Sequence, residues 1–388
     1  MLTKNIELIN FKNNKNISKI SHILKNIKKK FLNKSDKLLM SFSDSYQYSF
    51  KSNEIKKYKK FSIINVIGMG GSALGAEAIY SFLRFKIKKK FFFFNNLSLK
   101  KKIGKKKQLN IFVSKSGNTL ETISNFHNSI KTNKSLFITE SKNNYLRKIA
   151  NKMKSEIFEH RDFIGGRYSV LSEAGMLPAM LMGLNCKKFK KFNYLINNKN
   201  FEKKLISNVS TIMNLYKNKK TNSIILNYDE NSQDLFYWYQ QLVAESLGKK
   251  GKGILPIVSL VPKDNHSLMQ LYLDGKKNNF FTFFLVEDTK TQKLETNYLL
   301  DSHYFLKNKK TLDILKAQFY ATQLVFNKRK IPFRSFIIKR RNEETLGELF
   351  TFFMLETIVL GRALNLNPFD QPEVELIKKE TKKKLAST

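Results

Sequence analysis

The stretch Val66-Ile67-Gly68-Met69-Gly70-Gly71-Ser72-Ala73-Leu74-Gly75 constrains the fold more than any other part of the chain. It follows an apolar run, Phe61 to Ile67, that reads as a buried parallel strand. It precedes Leu74, Ala78 and Phe82, which recur at the four-residue spacing of a helix. Glycines allow close backbone approach, and the first N–H groups of a helix point at an anion. Gly71 and Ser72 are therefore candidate phosphate contacts, Ser72 through its hydroxyl. A glycine turn between strand and helix also arises from topology alone, and the loop by itself leaves both readings open.

Further short apolar runs at 62–67, 91–94, 110–113 and 136–138 alternate with helix-like or polar segments, as in strands covered on both faces. They predict an α/β fold with a doubly wound domain over residues 59–190. The Lys- and Asn-rich residues 1–58 are expected to be helical. A second α/β domain, 191–345, carries a strand at 224–226 and a helix from about 232 to 247. The region 346–388 reads as a long apolar helix followed, after Asn367-Pro368, by a charged one. Pro372, Glu373 and Glu375 suit its first turn and the lysines its later turns.

The 388 residues carry a formal charge of +40, which could serve nucleic acid, an acidic membrane surface or an anionic substrate. The lysines are spread along the whole chain, however, as a compositional bias would spread them. Clusters such as Lys28–30, Lys88–90 and Lys105–107 read as solvated loops, and nucleic-acid binding is not expected. No apolar run is long enough to cross a membrane, and the polar start lacks a signal-peptide core. A single cysteine, Cys186, excludes an intramolecular disulfide, so a cytoplasmic protein is expected.

A second candidate loop is Ser114-Lys115-Ser116-Gly117-Asn118-Thr119, which follows the run 111–113 and opens a helix. One hydroxyl would suffice as a cap, yet this loop has Ser114, Ser116 and Thr119 with Lys115 between them, which favours an anion cradle. Gly165-Gly166-Arg167 can aim a guanidinium into a cleft, or form a surface turn. Glu245 lies among apolar residues near a helix C-terminus, where desolvation and the helix dipole both favour its protonated form. That makes it a candidate general base; pairing with Lys249 or Lys250 is the structural alternative. Of the five histidines, His266 alone sits at a loop-to-helix junction, with Asp264 placed to orient it. The histidines and acidic residues show no metal-ligand spacing, so no metal is expected.

The stretches GMGGSALG, SKSGNTLET, GGRYSVLSEAGMLP, AESLGKKGKG, PKDNHSLMQLYLDG and NPFDQPEVELIKK, in this order, resemble the glucose-6-phosphate isomerase (phosphoglucose isomerase) family. They span about residue 66 to 379. The resemblance implies two sugar-isomerase (SIS) domains, each a three-layer α/β/α unit with a parallel sheet, and a C-terminal tail folding back over the active site. It also implies ring opening of a sugar phosphate, then proton transfer between C2 and C1 through a cis-enediol, without a cofactor. By resemblance Glu245 is the base, Arg167 stabilises the enediolate, and His266 and Lys378 serve ring opening. Gly71, Ser72, Ser114, Lys115, Ser116 and Thr119 hold the phosphate, and Gln371 contacts the sugar. The histidine would enter from a partner subunit, which implies a homodimer. A dual phosphoglucose/phosphomannose isomerase is the nearest alternative, against which GGR, PKDNHS and FDQP speak. A sugar-phosphate-sensing SIS regulator would have no need of the base.

Overall fold

The computed structural model describes residues 1–9, 11, 17–97, 108–129 and 134–387. Among these the strands are β1 (Ile6–Ile9), β2 (Ile63–Ile67), β3 (Lys90–Phe94), β4 (Leu109–Val113), β5 (Lys134–Thr139), β6 (Glu156–Glu159), β7 (Asn222–Asn227), β8 (Leu255–Leu260), β9 (Asn279–Val286) and β10 (Phe333–Ile338). They form two five-stranded sheets, ordered β3-β2-β4-β5-β6 and β8-β7-β9-β10-β1. The first is parallel throughout. The second is parallel except for β1, which pairs antiparallel with β10.

The doubly wound α/β architecture expected from the apolar runs is thus present, and alternation explains it. Ile64, Val66, Ile111, Val113, Leu136 and Ile138 face the main core of the molecule. Ile67, Phe112 and Phe137 face the opposite side, with Phe126, Leu146 and Ala150 from the helices Leu120–Ser129 and Tyr145–Lys152. Both faces being buried, the strands read as nearly unbroken apolar runs. In each sheet the first of the parallel strands, β2 or β7, has its successor on one side and the strand after that on the other. The crevice where the connections diverge lies between β2 and β4, and again between β7 and β9.

Residues 1–58 are not only helical. Ile6 and Leu8 are buried while Ile9 is exposed, a two-residue period that makes β1 an edge strand of the second sheet. The helix Ile17–Leu32 follows, burying Ile20, Leu24, Ile27 and Phe31. Lys28–30 therefore lie within a helix and not in a loop, and Lys90 begins β3. The cluster Lys105–107 falls outside the described residues.

Two helices bring the sheets together. Leu74–Phe82, after the glycine turn, packs against Gln233–Leu247, and Ser81 donates a hydrogen bond to Asp234 across the junction. The apolar helix expected at 346–364 spans Glu343–Ala363 and is buried along nearly its whole length. Phe350 and Phe353 pack on Trp238 and Tyr239 with ring centroids 4.8 and 4.6 Å apart. The terminal helix Val374–Ala386 buries no residue. Its packing over the active site, expected from the resemblance, is not found. Lysines lie on several sides of it and bond within the helix, Lys378 to Glu375 and Lys383 to Glu380, both at 2.6 Å. Its larger apolar residues, Val374, Leu376, Ile377 and Leu385, are all exposed.

Candidate active site

The glycine turn after β2 and the serine loop after β4 sit at the carboxyl ends of the two strands flanking the first crevice, where open α/β sheets hold their ligands. The glycines of the first turn are required by close packing. A Cβ on Gly68 would lie 2.6 Å from the Val113 carbonyl, and one on Gly71 would lie 2.1 Å from the Gly166 carbonyl carbon. Gly70 adopts φ +51°, with the Gln241 amide 2.6 Å from its missing Cβ. The turn is thereby pressed against the Gly166–Leu171 turn that carries Arg167. The half-buried Ser72 hydroxyl has no hydrogen-bond partner among the described residues. Replacing Gly71 by Ala should push the two turns apart. We expect a loss of about 1–3 kcal/mol in stability, together with a fall in turnover, measured by urea unfolding and steady-state assay of the same preparation.

The serine loop leads into the helix Leu120–Ser129. Ser114 and Thr119 share a hydroxyl hydrogen bond of 2.8 Å, and Ser116 is exposed at the loop tip, accepting from the Asn118 amide. Gly117 has φ +63°, and its missing Cβ leaves room for the Asn144 side chain. Lys115 turns away from the three hydroxyls. It donates to the Asp162 carbonyl at 2.6 Å and lies 3.8 Å from Glu140, and partial burial lowers its pKa. Its position fits a brace for the loop.

Close to Lys115, His160 is buried, and burial lowers its pKa to about 4. Its Nδ1 donates to the Arg161 carbonyl at 3.1 Å, which leaves Nε2 as an unpartnered lone pair in the neutral ring. The unfolded chain protonates this ring near pH 6.5 and the folded chain only near pH 4, so stability is lost as pH falls through that window. The loss attributable to His160 is about 3 kcal/mol. His160→Asn keeps the donor to Arg161 and should flatten that part of the pH dependence, followed by urea midpoints between pH 7 and 4.

Arg167 is the hub of the site and is fully buried. A guanidinium has five donors. Nε donates to Ser246 at 2.9 Å; Nη1 to Glu245 at 3.1 Å and to Gln371; Nη2 to the carbonyls of Pro368 at 2.8 Å and Asp370 at 3.0 Å. Trp238 donates to the Arg167 carbonyl at 3.2 Å, and Tyr168 reaches both Ser246 and the Pro368 carbonyl. The Gly-Gly-Arg turn is therefore a buried junction and not a surface turn.

Glu245 lies in the last turn of Gln233–Leu247, with its side chain 30% exposed. Its neighbours differ from the apolar surroundings expected. One carboxylate oxygen faces Arg167, and the other accepts from Gln241 at 2.9 Å. The structural alternative, pairing with Lys249 or Lys250, does not occur; Lys249 pairs with Asp370. A partly exposed carboxylate fixed by a guanidinium and an amide can take a proton from a carbon positioned in the cleft.

Arg167, Glu245 and Gln371 are thus brought together beside the turn carrying Gly71 and Ser72. Two other candidates are not. Lys378 is exposed and held by Glu375. His266 is exposed at the end of the Lys263–His266 turn, without a hydrogen bond to Arg167 or Glu245. Asp264 does not orient it. Asp264 is buried and accepts from Ser259, Ser267 and the Leu260 amide, tying the loop to the end of β8. Gln241, Ser246 and Tyr168 escaped the sequence reading. Gln241 alone left a signal there, one helical turn before Glu245.

Among the described residues no cluster of His, Cys, Asp or Glu could hold a metal ion, and no helix is long and apolar enough to cross a membrane.

The model of the family "Phosphoglucose isomerase" matches residues 17–260. A glucose-6-phosphate isomerase of Methanocaldococcus jannaschii is 31% identical over 368 residues, covering 90% of this chain and 90% of that protein. One from Mycoplasmopsis synoviae is 30% identical, covering 93% and 92%. Among solved structures, a hypothetical protein of Thermus thermophilus superposes with a TM-score of 0.83 at 24% identity, over 95% of this chain and 96% of that one. A glucose-6-phosphate isomerase of Chlamydia trachomatis gives 0.71 at 18%, over 86% and 72%. At these identities the structural likenesses speak for the fold alone. The sequence matches, together with two doubly wound sheets meeting at Arg167 and Glu245, show that the chain belongs to the phosphoglucose isomerase family.

Proposed function

We propose that this chain interconverts D-glucose 6-phosphate and D-fructose 6-phosphate, an aldose–ketose isomerisation of glycolysis and gluconeogenesis. The observation that carries the reading is the pairing of Glu245 with the buried Arg167 beside the first sheet's crevice.

In this reading the phosphate sits on the serine loop, taking hydrogen bonds from Ser114, Ser116 and Thr119 at a helix N-terminus, with Gly71 and Ser72 on the facing turn. The open-chain sugar then lies between that loop and Glu245. The carboxylate removes the proton from C2 of the aldose, and the carbonyl oxygen at C1 gains negative charge. Arg167, its guanidinium held in place by the surrounding protein before the reaction, stabilises that charge. With the hydroxyl proton passing from O2 to O1 in the cis-enediol, the same carboxyl group returns its proton to C1, the C2 oxygen becomes the carbonyl, and the ketose forms. No cofactor is needed, because the proton passes between substrate carbon and Glu245.

Ring opening needs a separate acid and base. His266 is exposed and makes no hydrogen bond to Arg167 or Glu245 of its own chain, which supports contribution of the partner subunit's His266 to this site in a homodimer. Lys378, on the exposed terminal helix, would have to move to take part. A cytoplasmic location goes with this reading.

The test supplies fructose 6-phosphate and follows glucose 6-phosphate through a coupled dehydrogenase. Turnover supports the reading. A folded protein that is inactive here but turns over mannose 6-phosphate would reject it, as would binding of sugar phosphate without turnover of either.

A further inference from the structure

The motif that supplies Glu245 continues as Gly248-Lys249-Lys250-Gly251-Lys252-Gly253, and the isomerisation as derived uses none of those residues. The segment is a tight turn. Lys249 and Lys252 exchange backbone hydrogen bonds of 3.0 and 2.9 Å, and Lys250, Gly251 and Gly253 take positive φ values of 53°, 67° and 151°. This geometry aims two lysines at the same stretch of chain. Lys252 donates to the Leu364 carbonyl at 2.9 Å. Lys249, its side chain only 9% exposed, donates to the Asp370 carboxylate at 2.6 Å and to the Asn367 carbonyl at 2.5 Å. The Asn367 side chain closes the loop by donating to Asp370 at 2.9 Å and accepting from the Phe369 amide at 3.2 Å. In a chain whose lysines are mostly solvated, a nearly buried lysine on a tail aspartate needs a reason.

Arg167 supplies it. Its five donors are all engaged within the protein, so a reacting oxygen can reach it only by displacing a partner. Ser246 is buried, and the carbonyls of Pro368 and Asp370 are fixed by the backbone that Lys249 and Asn367 hold. Gln371 is the exposed neutral side chain of the set. It is the partner whose departure leaves the rest of the cluster intact.

We propose that Lys249 and Asp370 are positioning residues for the isomerisation. They clamp residues 367–370 so that only the Gln371 side chain exchanges its bond to Arg167 for a substrate oxygen. The proposal rests on the reading of the site as an isomerase. One motif then supplies both the base and the clamp that sets the geometry opposite it.

Lys249→Met and Asp370→Asn are each expected to lower kcat by about 10- to 100-fold, the scale of small misplacements at a reacting centre. KM should change much less, because the phosphate loop is untouched. Lys249→Arg should keep most of the activity, and Lys250→Met, on an exposed lysine of the same turn, should keep all of it. In a Gln371→Ala background Lys249→Met should cost little more, since both act on one geometry. Hydrogen exchange of the amides at 369–371 should accelerate in Lys249→Met. An unchanged kcat in Lys249→Met and Asp370→Asn, or fully additive losses with Gln371→Ala, would overturn the proposal. A wild type without isomerase activity rejects the functional reading instead. In that case exchange rates unmoved by Lys249→Met would overturn the clamp as well, and accelerated ones would support it.

Discussion

Glu245→Gln is expected to reduce kcat for fructose 6-phosphate isomerisation by about 10²- to 10⁴-fold, the range general-base removal usually produces. The amide keeps the shape of the side chain and an oxygen able to accept from Arg167, so the cluster at the end of the Gln233–Leu247 helix should persist. KM should move little, because the phosphate contacts lie on other loops. Glu245 is itself partly exposed, but it is the carboxylate partner of the buried Arg167, so losing its charge should also cost some stability. Coupled assay and thermal unfolding of the same preparation decide the matter. Near-complete loss of turnover in a variant that still unfolds cooperatively, at a modestly lowered melting temperature, is the expected pair of results. A variant with most of its activity retained would leave the fold and family standing and remove Glu245 from the role of base.

The second large effect concerns stability. Arg334 on β10 is fully buried and paired with Glu356 of the Glu343–Ala363 helix. Thr282 accepts from its Nε at 2.9 Å and Asn208 from its Nη1 at 2.8 Å, while Tyr239 donates to Glu356 at 2.9 Å. The network ties the second sheet to the central helix and, through Tyr239, to the helix that carries Glu245. Removing one partner leaves a charge buried without compensation. Glu356→Ala should therefore cost about 3–5 kcal/mol. The double replacement Arg334→Met with Glu356→Leu removes both charges and should recover much of that loss. Urea unfolding of the single and double variants measures the coupling. Equal destabilisation by the two would show that the network matters through packing and not through charge.

Local signals in this chain were of two kinds. Strands buried on both faces and helices with a clear apolar stripe were visible as runs and spacings. β2 to β5, the Gln233–Leu247 helix and the Glu343–Ala363 helix all stand within a few residues of the expected positions. β1 was missed because four residues in a Lys- and Asn-rich segment carry little pattern of their own. Its strand identity comes from the hydrogen bonds that β10 offers. The site divides the same way. Six ordered stretches were enough to point to the family and to bring forward Arg167, Glu245 and the serine loop, because glycine turns and capped helix starts impose their residue types locally.

What those residues do to one another was not local. Lys115 and Asp264 sit inside the expected motifs yet act as braces, since the partners that claim them, Asp162 and Glu140 for one and Ser259 and Ser267 for the other, are chosen by the folding of separate segments. The tail read as a charged helix, which it is. Whether Lys378 stands over the cleft depends on having a surface to pack against, and its helix finds none on this chain. Gly71 looked like a phosphate glycine and is held at glycine by the Gly166 backbone, 95 residues further along the chain. Sequence alone determined the elements, the family and the chemical types of the site, because backbone propensity and burial pattern act over a few residues. The tertiary structure decided which donor meets which acceptor, because burial obliges each polar group to find its partner wherever the fold brings one within reach.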